Sequence, residues 1–477
     1  MKKTGLFKII MFMLLGMIVA TYIFESSYFQ EGQFSVLTMN YTGLFDAFSM
    51  FFKSLLVEYF AQVLIIVLAI GALYGVIEKT GVYRKLVNNI VTELKGREFL
   101  FIVLSSLFIA VLTSVFDYGF ALMIFFPFII SILLAMGYDK VTVAAATFGS
   151  MLIGTIGSTV GYNTSTVIAK VLEIKTNVNF YYKLALLLIS YVALLIFLSK
   201  AKRHKPKEED LKDVDIFADE FTAKKQSVKP VVIILIVIFV LLILGCTNWE
   251  STFKITFFNT IHEKVTGFEP KLPYLHITPT GIETGSEKIK IFGILLGDSA
   301  AFGNWYYSEM AIVCFFASLL LGLIYKINAF DGMKNGIKKM LKPAGMLLLS
   351  YVVLYFAANQ MFYPTIAQLL LSITSKFSVV ISSIIMAIAS VFHVDVLFVA
   401  NYAAPQIVAK TSNAPLIALI TQSIYGVVMF IAPTSIYLTF GLTYLNLPYK
   451  TWVKRIWKLV IALLVIVLAI LLIAKFV

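Results

Sequence analysis

The stretch that decides the fold reads Thr155-Ile156-Gly157-Ser158-Thr159-Val160-Gly161-Tyr162-Asn163-Thr164-Ser165-Thr166. It interrupts an apolar run over residues 141–172 with glycines and small polar side chains. A second run, residues 415–446, is interrupted at Ile431-Ala432-Pro433-Thr434-Ser435, where the proline cannot continue a helix. Inside a bilayer, non-helical backbone is tolerated only where protein or a wet cavity satisfies its polar groups. The two breaks therefore predict polar sites at membrane depth.

The composition places these breaks in a membrane protein. The chain has 477 residues, of which 60% are hydrophobic and 14% charged. A soluble protein is about 45–50% apolar and about 25% charged, so this chain has too little polar surface for water. The net charge of +13 reflects cations that gather in cytoplasmic loops, and we expect no nucleic-acid partner. The two cysteines and four histidines are scattered, which excludes a disulfide framework or a zinc spacing.

The apolar runs and the loop charges predict the topology. With the interrupted runs, we expect about nine spans, the first of them uncleaved. Placing the N-terminus inside puts most of the 39 Lys and Arg residues in the cytoplasm. The sequence therefore predicts a multi-pass protein of the plasma membrane whose uninterrupted spans are residues 6–24, 55–77, 181–199, 231–246, 310–325 and 456–474.

The same patterns divide the chain into five parts. A run rich in both signs of charge is typical of a solvated linker, and a polar stretch between spans forms an external insertion long enough for a few strands. The predicted parts are an N-terminal repeat (1–199), a cytoplasmic linker (200–229), a connecting span (230–246), an external insertion (247–308) and a C-terminal repeat (309–477).

An internal repeat relates the two halves. Ser114-Val115-Phe116-Asp117 recurs as Ser390-Val391-Phe392-His393. Each copy lies between apolar segments that are too short for the ~20 helical residues that a span requires. We therefore expect re-entrant hairpins at about residues 99–136 and 378–409, each followed by a broken helix. The loop charges indicate that the first hairpin opens to the cytoplasm and the second to the outside. The predicted all-α fold is therefore an inverted repeat, which is typical of secondary transporters. A packing kink is the alternative for any single break.

The C-terminal segment resembles a known family. Met429-Phe430-Ile431-Ala432-Pro433-Thr434-Ser435 and the following Leu445-Asn446-Leu447-Pro448-Tyr449-Lys450 are similar to the Pro-Thr-Ser segment of YfcC-like carriers. These belong with the anaerobic four-carbon-dicarboxylate carriers of the ion transporter superfamily. The resemblance implies two hairpins, elevator-like movement of a transport domain against a scaffold, and a homodimer. It implies dicarboxylates or basic amino acids as substrates. Asn163-Thr164 stands where relatives carry Asn-Pro, which leaves the coupling cation open.

The hairpin tips and the breaks supply the candidate substrate- and ion-binding residues. Half-helix N-termini suit a carboxylate, whereas C-terminal ends and loop carbonyls suit Na⁺. A carboxylate at membrane depth is a functional candidate by default, and an imidazole can change charge near neutral pH. The candidates are Ser114, Asp117, Ser158, Thr159, Asn163, Thr164, Ser165, His393, Asp395, Pro433, Thr434 and Ser435.

Each candidate has a structural alternative. The hydroxyls can bond the carbonyl four residues earlier in their own helix, and His393 and Asp395 can satisfy each other or lie near the outer interface. Asn359 and Gln360 interrupt residues 347–371, which predicts a third broken span. We expect no cofactor. Transport would be coupled to H⁺ or to Na⁺, and a Na⁺ ion would be held at Asn163 and Thr434.

The sequence thus predicts a secondary active transporter in the lipid bilayer, either a symporter or an exchanger. Its substrate would be a small carboxylate-bearing metabolite, an amino acid or a dicarboxylate. The chain contains no Walker motif, so direct ATP use is not expected. The alternatives are a membrane-embedded lipid-modifying transferase, for which His393 and Asp117 would be acid and base, and a passive channel, although no filter motif is present. We expect no enzymatic activity.

Overall fold

The computed structural model describes residues 5–30, 32–205 and 226–476. Most of the predicted cytoplasmic linker (200–229) lies outside these residues. The first half of the described chain contains the α-helices Leu6–Ala20, Leu44–Leu55, Glu58–Lys79, Tyr83–Glu93, Glu98–Val115, Phe126–Ala135, Lys140–Ala144, Ser150–Ile156, Val167–Val171 and Phe180–Ser199. A 3₁₀-helix, Gly119–Phe125, and two π-helices, Ala145–Gly149 and Tyr162–Thr166, complete it.

The remaining described helices form the connection and the second half. Lys229–Cys246 leads into the insertion, which contains Trp249–Phe253, Phe257–Thr266 and Ile291–Leu296. The second half consists of Tyr307–Tyr325, Ala329–Gln360, Tyr363–Ser372, Val379–Phe392, Val396–Thr411, Ala414–Met429, Ile436–Tyr444 and Tyr449–Phe476.

Seven of the described helices are long and apolar enough to cross a membrane, by length and composition. Five further apolar helices of 10–17 residues are shorter, including Leu6–Ala20. The expectation that residues 99–112 are too short to span was wrong. The Glu98–Val115 helix has 18 residues, because Thr113 and Ser114 do not end it and Glu98 extends its N-terminal end.

A glycine crossing joins one helix of each half. Gly71 and Gly75 of Glu58–Lys79 face Gly332 and Gly336 of Ala329–Gln360, and a Cβ added to Gly75 would lie 2.8 Å from Gly336 Cα. Small residues let helix backbones approach this closely. Farther along the same pair, the rings of Phe60 and Tyr351 stack with centroids 4.3 Å apart. This pair forms the centre of the buried core.

Both predicted breaks are present. The first break covers residues 157–161 and is shorter than expected, because Thr155 and Ile156 remain helical and Tyr162–Thr166 forms a π-helix. The second break covers residues 430–435, between Ala414–Met429 and Ile436–Tyr444. The two broken helices pack against each other, since a Cβ added to Gly426 would lie 2.9 Å from the Ile156 amide nitrogen.

The third predicted break is also present. Met361, at a φ of 49°, separates Ala329–Gln360 from Tyr363–Ser372. Ser26 Oγ donates to Gln360 O at 2.8 Å and the Ser27 amide donates to Met361 O at 3.0 Å. The freed carbonyls are therefore satisfied by the N-terminal segment, and Asn359 is exposed.

The few strands form two antiparallel hairpins. β1 (Ser27–Gln30) pairs with β2 (Gln33–Val36), starting from Ser27 opposite Val36. In the insertion, β3 (Lys271–Thr278) pairs with β4 (Gly281–Lys288) around a tight turn. The β3–β4 hairpin exposes the side chains of Leu275, Ile277 and Ile282.

Candidate functional site

Asp117, at the tip predicted for the first hairpin, occupies a strained turn at the end of the Glu98–Val115 helix. The amides of Phe116 and Asp117 both donate to Leu112 O, at 2.9 and 3.0 Å, and Asp117 then adopts a φ of 54°. Residues other than glycine rarely adopt this left-handed conformation, although aspartate tolerates it better than most. Such strain persists where the surrounding structure over-determines it, often at functional sites. The Asp117 side chain is only 3% exposed.

The segment after the first break holds this turn in place. Asn163 Nδ2 donates to Asp117 O at 2.5 Å, and Thr164 Oγ1 donates to Asp117 Oδ2 at 2.6 Å. Gly161 makes the approach possible, since a Cβ there would lie 2.9 Å from Asp117 Cβ. A hydrogen bond to a charged group contributes about 1.5–3 kcal/mol. The tip and the π-helix therefore form one polar unit.

The first break is also bonded to the helix that precedes the tip. The Thr159 amide donates to Ser114 O at 2.9 Å, and Ser114 Oγ donates to Gly157 O at 2.7 Å. The Ser114 and Thr159 hydroxyls each bond a carbonyl of another segment, Gly157 O and Ser114 O respectively. Bonding to the carbonyl four residues earlier, the structural alternative, therefore does not apply to them. Ser158 Oγ is buried and has no hydrogen-bond partner within the described residues. Asp117, Asn163 and Thr164 thus form one hydrogen-bonded group, and Ser114 and Thr159 form a second.

Gln422, which the sequence analysis missed, connects the two halves. Its Nε2 donates to Ser158 O at 3.0 Å and to Ile156 O at 3.2 Å. Ser165 Oγ lies 2.6 Å from Ser158 O and 3.1 Å from Gln422 Oε1, and its single proton is shared between these two acceptors. A buried amide that bonds broken backbone satisfies the polar groups that a bilayer would leave unpaired. The available signal was an amide within the otherwise apolar Ala414–Met429 helix.

Lys183 was missed as well. It lies in the Phe180–Ser199 helix, is 4% exposed, and its ammonium donates to Thr176 O, Ser165 Oγ and Thr159 O. The cations of the chain were expected in loops, yet Lys183 lies near the start of an apolar span. A buried charge in that position is unusual and signals either function or a demanding structural role.

The second break uses other partners. Thr434 Oγ1 donates to Val391 O at 2.7 Å, one repeat position beyond the Thr159 contact with Ser114. Trp452 Nε1 donates to Phe430 O at 2.7 Å, and the Tyr449 hydroxyl donates to Ile431 O. The carbonyls freed before Pro433 are therefore already occupied by the last helix. Ser435 accepts the Leu438 amide at 3.4 Å and so caps the Ile436–Tyr444 helix.

His393 and Asp395 at the second tip do not satisfy each other. His393 is fully buried, its ring centroid lies 4.8 Å from that of Tyr402, and neither ring nitrogen has a hydrogen-bond partner in the described part of the chain. Asp395 accepts the Tyr59 hydroxyl at 2.8 Å and the Leu397 amide at 2.9 Å. The proposed mutual pairing of these two residues was therefore wrong.

A cleft of about 90 Å³ opens at Asp117. Asp117 and Asn163 line one side of it, Tyr59 lines another, and the ends of the external insertion, including Asn248 and Tyr307, complete it. Of the predicted site residues, only Asp117 and Asn163 line this cleft. Tyr59 also donates to Asp395, so one side chain joins the cleft to the second tip.

Aromatic contacts bring the second break near the same region. The rings of Phe120 and Tyr437 lie 5.2 Å apart, three residues after Asp117 and three after Thr434 respectively. Elements of both halves therefore meet around the first tip, although Thr434, Ser435 and His393 face other partners. Across the described residues, no group of three or more His, Cys, Asp or Glu could hold a metal ion.

Comparison with known proteins agrees with a carrier. The family described as DcuC, C4-dicarboxylate anaerobic carrier, matches residues 4–476. The solved structure of the Alcanivorax borkumensis YdaH transporter, described as having an unusual topology, is similar over 98% of each chain, at 12% identity and a TM-score of 0.42. No curated protein matches the chain. Since the family match extends over nearly the whole sequence, the chain belongs to the C4-dicarboxylate anaerobic carrier family of membrane carriers.

Proposed function

We propose that this protein is a secondary active transporter of C4-dicarboxylates, which binds its substrate beside the first tip and the first break. The observation that carries the proposal is Asp117, held in a strained conformation by Asn163 and Thr164 at the wall of the cleft. The family to which the chain belongs supports the substrate class.

The chemistry of the cleft determines how a dianion could bind. Asp117 and Asp395 are both acidic, and like charges repel a carboxylate in a medium of low dielectric constant. A dicarboxylate would therefore bind together with H⁺, with Na⁺, or in exchange for a second dicarboxylate. Amide side chains that line the cleft, Asn163 and Asn248, would supply the direct contacts.

An amino acid is the second candidate substrate, and Asp117 favours it. A carboxylate at the wall of the cleft can pair with an ammonium group, whereas it opposes a dianion. Competition between the two classes for uptake distinguishes these candidates.

Movement would follow the elevator pattern. The glycine crossing between Glu58–Lys79 and Ala329–Gln360 would belong to the fixed scaffold, whereas the tips and the broken helices would move together. We further propose a homodimer in the plasma membrane with a cytoplasmic N-terminus, in keeping with the loop charges.

Uptake into proteoliposomes tests the function. Purified protein should accumulate radiolabelled succinate when an ion gradient or internal succinate is supplied, and accumulation should stop when the gradient is dissipated. Conductance without any gradient dependence would instead support a channel, and excess arginine that abolishes succinate uptake would support the amino-acid alternative.

Two variants test the site. Asp117→Asn, at the wall of the cleft, should reduce uptake at least tenfold while membrane insertion remains normal. Thr434→Ala, which removes the hydroxyl that joins the second break to Val391 O, should reduce it as well. The matched controls are Asp298→Asn and Thr260→Ala, which change exposed residues of the external insertion. Wild-type uptake by both site variants would contradict the proposed placement of the substrate.

A further inference from the structure

We propose that Lys183 is a resident cation, whose ammonium fills an oxygen cage at the first break that would otherwise accept an alkali-metal ion. The protein would accordingly bind no Na⁺ at this position. The geometry of the cage stands independently of the substrate, whereas the consequence for transport rests on the proposed function.

The cage consists of three oxygens that belong to separate segments. Lys183 Nζ lies 2.7 Å from Thr176 O, 3.1 Å from Ser165 Oγ and 3.3 Å from Thr159 O. An ammonium has three donors, so these three acceptors use its full capacity. Carbonyl and hydroxyl oxygens are also the ligands that hard metal cations prefer.

The charge of Lys183 has no carboxylate partner in the parts of the chain that the structure describes, where none of the ion pairs includes it. At 4% exposure it also lacks bulk water. A buried unpaired charge is expensive unless fixed dipoles compensate it. Helices that end at Ile156 and Val171 lie just before Thr159 and Thr176, and the C-terminal end of a helix carries partial negative charge. The site is therefore built for a cation.

In the second half, a neutral side chain bonds the backbone of the break, so a charged donor is not needed for that purpose. Lys183 is the fourth residue of Phe180–Ser199, the helix that follows the first broken helix. Trp452 is the fourth residue of Tyr449–Phe476, the helix that follows the second. Trp452 bonds Phe430 O through a neutral indole at 2.7 Å. The two halves thus place donors at matching positions, and only the first half uses a cation.

A tethered ammonium cannot leave the protein on either side of the membrane. The cage therefore cannot couple transport to a Na⁺ gradient, because coupling requires that the ion bind on one side and dissociate on the other. Coupling to Na⁺ would then need a site outside the cage, whereas coupling to H⁺ or to a counter-substrate would not.

Thermal unfolding of the purified full-length protein tests the cage without any substrate. Lys183→Ala and Lys183→Gln would be compared with wild type and with Lys175→Ala, which changes a nearby exposed lysine. Lys183→Gln retains a donor for Thr176 O without the charge and serves if the alanine variant does not fold. Each protein would be titrated with Na⁺, K⁺, Li⁺ or methylammonium against N-methyl-D-glucamine at constant ionic strength.

We expect both Lys183 variants to have a lowered Tm, and at least one small cation to raise it by roughly 2 °C or more through mass action. Wild type and Lys175→Ala should show no cation-specific shift. Lys183 variants that no cation stabilises, or a wild-type protein with the same cation response as the variants, would overturn the inference. A wild-type protein that fails to transport succinate would contradict the proposed function and leave this result unaffected.

Discussion

The glycine crossing gives the sharpest prediction, because one helix contains both a packed and an unpacked glycine. We consider Gly336→Ala and Gly345→Ala, both within Ala329–Gln360. A Cβ on Gly336 would overlap Gly71 O and lie 2.6 Å from Gly71 C, whereas a Cβ on Gly345 would meet no heavy atom within 4 Å. The two substitutions add the same methyl group and gain the same helix propensity.

The expected free energies have opposite signs. Alanine stabilises an unhindered helix position by about 1 kcal/mol relative to glycine, which applies to Gly345. At Gly336 the helices must separate by roughly 1.5 Å before the new contact reaches normal van der Waals distance. Overpacking of this kind costs about 1–3 kcal/mol. The two variants should therefore differ by about 2 kcal/mol in the free energy of unfolding, which is the packing cost at Gly336, because the gain in helix propensity is common to both.

Detergent-solubilised protein, heated and then analysed by size-exclusion chromatography, measures this difference. For a chain of this length the gap in Tm should be roughly 2–4 °C, with Gly336→Ala below wild type and Gly345→Ala at or above it. Equal melting of the two variants, or a more stable Gly336→Ala protein, would refute the close approach of these helices.

Two further predictions concern the polar contacts of the site. Thr164→Val removes the hydroxyl that donates to Asp117 and should lower the free energy of unfolding by about 1.5–3 kcal/mol and abolish most of the uptake. Thr164→Ser keeps a hydroxyl and should restore both properties. Failure of the serine variant to restore them would argue against the hydrogen bond. Tyr59→Phe removes the hydroxyl that donates to Asp395 at the cleft and should lower uptake several-fold, measured in proteoliposomes beside Tyr41→Phe, which changes an exposed tyrosine. Similar uptake by the two phenylalanine variants would show that transport does not require the hydrogen bond between Tyr59 and Asp395.

Local sequence predicted where the helices stop. Glycines and small polar residues ended the helix at Ile156, and Pro433 ended the one at Met429, because these residues act on the backbone to which they belong. The repeat of Ser114-Val115-Phe116-Asp117 likewise marks the ends of the Glu98–Val115 and Val379–Phe392 helices. The first of these helices is longer than the apolar segment that the sequence indicated.

The partners of the freed polar groups could not be predicted in this way. Gln422 reaches Ser158 across 264 positions of sequence, and no local pattern indicates that an amide in one half will bond a carbonyl in the other. His393 resembled Asp117 by alignment of the repeats, yet it is enclosed by tyrosine rings and donates to no described group.

The sequence by itself determined that this chain is a membrane protein with two interrupted helices, since hydropathy and backbone-breaking residues act over a few turns of chain. Only the tertiary structure decided which groups satisfy the interruptions, an ammonium at Lys183 in one half and an indole at Trp452 in the other. The physical reason is that an unpaired carbonyl in a bilayer requires some donor, but the donor is chosen by packing between helices that are remote in sequence.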